Sequence, residues 1–348
     1  MLSKIIDQRS IDVVQDRIDE ARRIVIVTHI SPDGDAVGSS LALYHYLKGL
    51  GKKVSVVTPS PMPDFLLWLP GAQDIYVHSE KKEESDAIVS DAELIFALDF
   101  NILKRLEGLS AAVEASKAHK ILIDHHPYPG DCWNLVISHP EICSTSELIF
   151  RLICRMGDFN RIDKFIGECI YTGMMTDTGS FTYNSNSPEI YFIISELLTK
   201  GIDKDAIYAK VYNNFPADRF RLMGFLLSQR MKIYDQYPAA LLTLTLQECE
   251  NYKYQKGDAE GFVNIPLSVS GIIFSIFMRE DVDKIKISFR STGSFPCNKI
   301  ASECFGGGGH LNASGGEFYG TLEAAIQLFE TALPSYLSFF EAEKDKLI

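Results

Sequence analysis

The chain has 348 residues, 46% of them hydrophobic and 23% charged, with a formal net charge of −12. That length exceeds one ordinary core and implies two domains of a globular protein. The acidic surface argues against a reader of long duplex nucleic acid, because any phosphate ligand must meet a local cation. The seven cysteines form no C-x-x-C pair and sit singly in apolar segments, as reduced structural thiols do. The opening twenty residues are charged throughout, so no signal peptide is expected, and the most apolar window, 262–278, is broken by Asn264, Pro266 and Gly271. The expectation is a cytoplasmic protein that does not enter a membrane.

Ile5, Ile6, Val13, Val14, Ile18 and Ala21 predict one or two leading amphipathic helices within 4–22. Ile24 to Thr28 reads as a strand buried on both faces. His29, Asp33 and Asp35 follow at its end, and a helical pattern covers 36–50, closed by Gly51. One imidazole and two carboxylates therefore leave the carboxyl end of a strand, where open α/β sheets collect ligands. The plainer alternative is a turn at Asp33-Gly34 with Asp35 as helix cap, which leaves His29 and Asp33 without a task. Residues 52–58 make a second strand and complete a right-handed βαβ unit. A loop with a short helical piece is expected over 59–70, a small strand over 75–77, and a solvated turn at the charge cluster 81–84.

Two further strands end like the first. Residues 93–100 run into Asp99, and 119–126 run into Asp124, His125 and His126. In a parallel sheet these ends share one edge, so the three strands together point to a polynuclear metal site. Ser144 and Glu147 form a capping box ahead of the apolar face Leu148, Ile149, Leu152, Ile153 and Met156. Residues 162–176 read as another helix, with Asp177 at its C-terminal end. A carboxylate there opposes the helix dipole by about 0.3–1 kcal/mol, and a bound cation would remove the penalty, so Asp177 joins the candidate ligands.

His29-x3-Asp33-x-Asp35, Asp99 after a strand, Asp124-His125-His126 and Asp177 in a T-D-T-G run resemble the four motifs of the DHH phosphoesterase superfamily. That family includes RecJ exonucleases, family II pyrophosphatases and small oligoribonucleases that also dephosphorylate pAp. The resemblance covers 1 to about 190. It implies one Mn²⁺ held by His29, Asp33 and Asp99, and a second by Asp35, Asp99, His125 and Asp177. Asp124 would orient His125, and His126 would face the substrate. Two divalent cations would balance the four carboxylates, and mixed imidazole and carboxylate donors suit Mn²⁺ better than Mg²⁺, although Mg²⁺ or another divalent ion stays open.

Beyond Ser187-Pro188, a cap and first helical residue, helical patterns run to Gly201, over 203–213, and from Pro216 to about Tyr234. Strands are expected at 240–246 and 284–291, and a helix at 298–304. FGGGGHLNASGG, residues 305–316, reads as a loop whose glycines let backbone N–H groups approach an anion. Ser288-x-Arg290-Ser291 together with GGGGH-x-x-A-S-G resembles the family's substrate-binding DHHA1 domain. The resemblance implies substrate contacts from Arg290, Gly307, Gly308, Gly309, His310, Asn312 and Ser314.

The expected architecture is α/β: a parallel-sheet DHH catalytic domain over 1–190, a helical connector over 191–235, and a smaller α/β DHHA1 domain over 236–348. The expected activity is hydrolysis of short single-stranded RNA or DNA oligonucleotides, linear dinucleotides or pAp to mononucleotides, with His126 and Asp124 in catalytic roles. Two alternatives stay open, a pyrophosphatase of the same superfamily and a non-catalytic nucleotide sensor. A homodimer is the one protein partner the expectation admits.

Overall fold

Strands rich in Val, Ile and Leu on both sides need cover on both faces, and the first sheet has it. In the computed structural model, which describes residues 3–255 and 257–344, this sheet has six strands. They are β1 (Arg23–Thr28), β2 (Lys53–Thr58), β3 (Tyr76–Val77), β4 (Leu94–Leu98), β5 (His119–Asp124) and β6 (Leu135–Ser138). All run parallel, in the order β3-β2-β1-β4-β5-β6. The helices that accompany them are α1 (Gln8–Glu20), α2 (Gly34–Gly49), α3 (Lys82–Ser90), α4 (Ser110–Ala115), α5 (Thr145–Arg155), α6 (Lys164–Asp177), α7 (Pro188–Thr199) and α8 (Lys204–Tyr212). Ile24, Ile26, Phe96, Leu98, Ile121 and Ile123 pack on one face against α1, α2 and α5 to α8. Val25, Val27, Ile95, Ala97 and Leu122 pack on the other, against Val89 of α3 and Val113 of α4. β1 pairs with both β2 and β4, so the strand order reverses there and the carboxyl ends of β1 and β4 open a crevice.

Several local expectations change. The charge cluster 81–84 is no solvated turn: Lys82 opens α3, a helix with one fully buried apolar residue, Val89, too little for a periodic signal. Strand β6 was not foreseen. The capping box is half formed: Ser144 Oγ accepts the Glu147 N–H at 3.1 Å. The Glu147 carboxylate turns instead to the buried Arg151, at 2.8 and 2.6 Å, because a guanidinium out of water needs a counter-charge.

The chain divides into two units, Met1–Asn214 and Phe215–Ile348. The segment expected as a connector is thereby split, because Ile193, Leu197, Ile207 and Val211 of α7 and α8 belong to the first core. The second unit contains α9 (Ala217–Phe225), β7 (Lys232–Ile233), β8 (Ala239–Leu244), α10 (Leu246–Asn251), β9 (Phe274–Glu280), β10 (Ile285–Ser291), α11 (Cys297–Phe305), β11 (Gly308–His310), β12 (Ala313–Phe318), α12 (Leu322–Ala332) and α13 (Leu337–Lys344). Its six strands follow the order β11-β12-β10-β9-β8-β7, parallel between β8 and β9 and antiparallel elsewhere. Phe274, Ile276 and Phe289 pack against Ile300, Phe305, Phe329 and Phe340 on one face, and Leu242, Leu244 and Phe277 against Leu222 and Phe262 on the other. Among the described residues no helix is long and apolar enough to cross a membrane.

Candidate metal centre

Strand ends, a helix start and a helix end meet at the crevice. Asp33 caps α2: its Oδ1 accepts the N–H groups of Asp35 and Ala36 at 3.0 and 3.1 Å. Asp33, rather than Asp35, is therefore the cap, and its other oxygen lies 3.9 Å from His29 Nε2. Asp99 follows β4 in the left-handed region, φ 65°. Its Oδ2 is 3.6 Å from His29 Nε2 and its Oδ1 3.5 Å from His125 Nε2, so this one carboxylate stands between two imidazoles. His125 Nε2 also lies 4.0 Å from Asp35 Oδ2 and 3.6 Å from Asp177 Oδ2, Asp177 being the last residue of α6. Two of the groups that result are His29 with Asp33 and Asp99, and Asp35 with His125 and Asp177, each with donor atoms within 4.8 Å of one another.

One assignment changes. Asp124 does not orient His125: its Oδ1 pairs with Nδ1 of His126 at 2.8 Å, while His125 Nδ1 faces the Ile142 carbonyl at 3.2 Å. His29 Nδ1 likewise faces the Ile30 carbonyl, at 2.8 Å. A ring that donates Nδ1–H to a carbonyl keeps its Nε2 lone pair for the carboxylate side, the orientation metal-binding histidines use. Two further residues of the site, Thr145 and Ser146, escaped the sequence reading. Their N–H groups at the start of α5 donate to Asp35 at 2.6 and 2.9 Å, and Thr145 Oγ1 donates to Asp99 at 2.9 Å. The Ser-Thr-Ser run at 144–146 was the available signal.

The donor set fits a divalent cation. Asp35, Asp99 and Asp124 are 1%, 2% and 0% exposed, and Asp124 Oδ2 is buried with no hydrogen-bond partner. Burial raises the Asp35 carboxyl despite its N–H donors, and burial plus the charges of Asp35, Asp33, Asp124 and Asp177 holds Asp99 well above the usual carboxylate range. Burial works against a charged His125, but Asp177, Asp35 and Asp124 outweigh it and push that imidazole upward. Burial lowers His29. The gaps of 3.5 to 4.0 Å between imidazole and carboxylate atoms exceed a hydrogen bond. Neighbouring ligands around one ion with bonds of about 2.1 Å lie roughly 3.0–3.4 Å apart, so these groups would draw in by a few tenths of an ångström around a cation.

Contact between α2 and α6 sets this spacing. A Cβ on Gly38 would lie 2.6 Å from the Cys169 carbonyl, and one on Gly173 would lie 1.9 Å from Ser146 Oγ and 2.7 Å from Asp35 Oδ1. Gly173→Ala should therefore cost about 1–3 kcal/mol of stability and push Asp35 out of place. Thermal unfolding and metal analysis check this against Gly49→Ala, where nothing lies within 4 Å of the new methyl. Equal behaviour of the two variants would contradict it.

In the second unit the Gly-rich segment is a hairpin, β11 against β12, rather than an open loop. Its glycines serve close packing: a Cβ on Gly307 would lie 1.8 Å from the Gly315 carbonyl, and Gly309 has φ 141° with Ala313 O 2.6 Å from its Cβ position. Nothing lies within 4 Å of a Cβ on Gly308. Two expected substrate contacts have other tasks. Asn312 Nδ2 donates to Ser291 Oγ at 2.8 Å and Gly293 O at 3.1 Å, and the buried Ser314 donates to Cys297 Sγ at 3.2 Å. Arg290 is half-buried in β10, its Nη1 donating to the Phe289 carbonyl at 2.9 Å. His310 ends β11.

Residues 23–174 match the DHH family, N-terminal domain, and 240–335 match the DHHA1 domain. The chain is 32% identical over 297 residues to the bifunctional oligoribonuclease and PAP phosphatase NrnA of Thermus thermophilus, covering 85% of this chain and 84% of that one. It is 25% identical to the Bacillus subtilis protein of the same name, over 86% and 91% of the two chains. Among solved structures, an exopolyphosphatase-related protein from Bacteroides fragilis superposes with a TM-score of 0.95 at 58% identity, covering 98% of this chain and all of that one (100%). RecJ from Thermus thermophilus in complex with Mn²⁺ shares the fold alone, with a TM-score of 0.51 at 13% identity over 97% of this chain and 54% of that one.

Proposed function

This chain belongs to the DHH family, with a DHHA1 domain in its second unit, and we propose that it is a dinuclear-metal phosphoesterase. Its substrates are short single-stranded oligonucleotides, linear dinucleotides included, and pAp, from which it releases mononucleotides. The observation that carries this reading is Asp99, whose two oxygens face His29 on one side and His125 on the other. In this reading His29, Asp33 and Asp99 hold one Mn²⁺, and Asp35, Asp99, His125 and Asp177 hold the second. When bound, two such ions would supply Lewis-acid charge for a phosphoryl oxygen and for the leaving oxygen.

The protein's own groups do the rest. Thr145 and Ser146 clamp Asp35 and Asp99 by three hydrogen bonds, so these carboxylates need no reorganisation when a phosphate arrives. Asp124 fixes the His126 ring through Nδ1, which makes Nε2 the atom that passes a proton to the leaving oxygen. In this reading Arg290, Gly308 and His310 contact the substrate, while Gly307 and Gly309 close the hairpin that carries them. The names of the NrnA relatives support nucleotide substrates, and the name of the Bacteroides fragilis relative makes inorganic polyphosphate the second reading. The seven free cysteines suit a reducing compartment such as the cytoplasm.

Chelated protein, reloaded with Mn²⁺ or Mg²⁺, should be assayed on 2–5-mers, pAp, pyrophosphate and polyphosphate. The expected result is Mn²⁺-dependent release of mononucleotides, at rates orders of magnitude above pyrophosphate turnover. Faster hydrolysis of polyphosphate or pyrophosphate than of every nucleotide, or activity that survives chelation, would overturn the reading.

A further inference from the structure

The segment leaving β5 holds an aromatic residue in an unusual state. Tyr128 stands two positions after His126, is 86% exposed, and has φ 62°. Left-handed backbone is unfavourable for a bulky side chain, and the residue before a proline, here Pro129, is pushed toward extended conformations. Two bonds to one residue hold the segment in place. Asn101 Nδ2 donates to the Pro127 carbonyl at 2.7 Å, and Gly130 N–H donates to the Asn101 carbonyl at 2.8 Å. Asn101 itself lies two residues after Asp99. The chain thus spends hydrogen bonds on both sides of Tyr128 to hold an unfavourable turn, and the ring gains no burial from it. Strain kept in this way clusters at ligand sites.

Resting on the nucleotide reading above, we propose that Tyr128 is the stacking platform for a nucleobase of the substrate whose phosphate lies at the metal centre. Every base has a π-face, so such a contact favours nucleosides over inorganic phosphates without selecting a sequence. Rigid presentation lowers the ordering cost on binding.

The experiment compares wild type, Tyr128→Ala, Tyr128→Asn and Tyr128→Phe in the Mn²⁺-loaded full chain. Substrates are a ribodinucleotide and the same compound made abasic at either end. Loss of the stack should raise KM by about 5- to 150-fold in Tyr128→Ala with kcat within twofold. Tyr128→Asn, which accepts left-handed backbone, should match Ala, and Tyr128→Phe should recover wild-type KM. On one of the two abasic substrates all four proteins should agree. Quenching of a 2-aminopurine dinucleotide should follow the same ranking. Unchanged KM in Tyr128→Ala, or an equal rise on every substrate, or a Phe variant as weak as Ala, overturns the stacking role and leaves the phosphoesterase standing. A wild type that cleaves no dinucleotide overturns both.

Discussion

Asp99→Asn should lower turnover by at least about 1,000-fold, roughly 4 kcal/mol of transition-state stabilisation, and should make the metal-free protein more stable. Asn is among the residues that accept the left-handed backbone Asp99 adopts, so the substitution changes charge and little else. Elemental analysis should find fewer than two Mn²⁺ per chain. The stability effect follows from the raised carboxyl of Asp99, set by burial and by Asp35, Asp33, Asp124 and Asp177. A carboxyl raised on folding binds its proton more tightly in the native state, so it opposes folding once ionised. Metal-free wild type should therefore gain stability as pH falls toward the ordinary carboxylate range, and lose it as pH rises through the raised value. In Asp99→Asn that slope should flatten, as thermal unfolding across pH would read. Near-normal turnover with two ions bound would sink the shared-ligand model.

Arg290→Ala carries the second large effect. The guanidinium can hold a phosphate through two parallel hydrogen bonds, which Lys cannot copy. Losing a charge-assisted contact of about 1.5–3 kcal/mol corresponds to roughly 10- to 150-fold in kcat/KM on dinucleotides or pAp. Arg290→Lys should recover only part of this. Bis-p-nitrophenyl phosphate, which has no second phosphate or ribose to grip, should be hydrolysed almost as before. Equal losses on both substrates would make Arg290 a support of β10, and no loss on either would remove it from the reaction.

The residues that were legible in sequence are those whose chemistry follows directly on secondary structure. β1, β4 and β5 each contain an unbroken apolar run, Ile24–Val27, Leu94–Leu98 and Ile121–Ile123, so their ends could be located and His29, Asp99 and His125 read as neighbours on one sheet edge. Asp177 drew notice because a carboxylate at a helix end is unfavourable without a cation, and the structure sets it 3.6 Å from His125 Nε2. The partner of Asp124 could not, since both imidazoles follow it in sequence and only the backbone path after β5 decides between them. Strand β9 was hidden for a different reason. It is buried on both faces in the middle of its sheet and so shows no alternation, and it starts inside a window broken by Asn264, Pro266 and Gly271. The glycines of 306–309 were visible, but their purpose was not, because a hairpin closed against Gly315 and Ala313 is a long-range packing fact.

In the two-ion reading, the order in which the polypeptide emerges from the ribosome bears on when each candidate group is complete. The first group, His29 with Asp33 and Asp99, needs only the chain through Asp99, the residue after β4. The second, Asp35 with His125 and Asp177, waits for the last residue of α6. A nascent chain halted between these points has Asp35 without Asp177 and without the cation that offsets their charge. If both groups hold ions as proposed, the first group can be completed earlier in synthesis than the second, and ion binding would add to the stability of this unit.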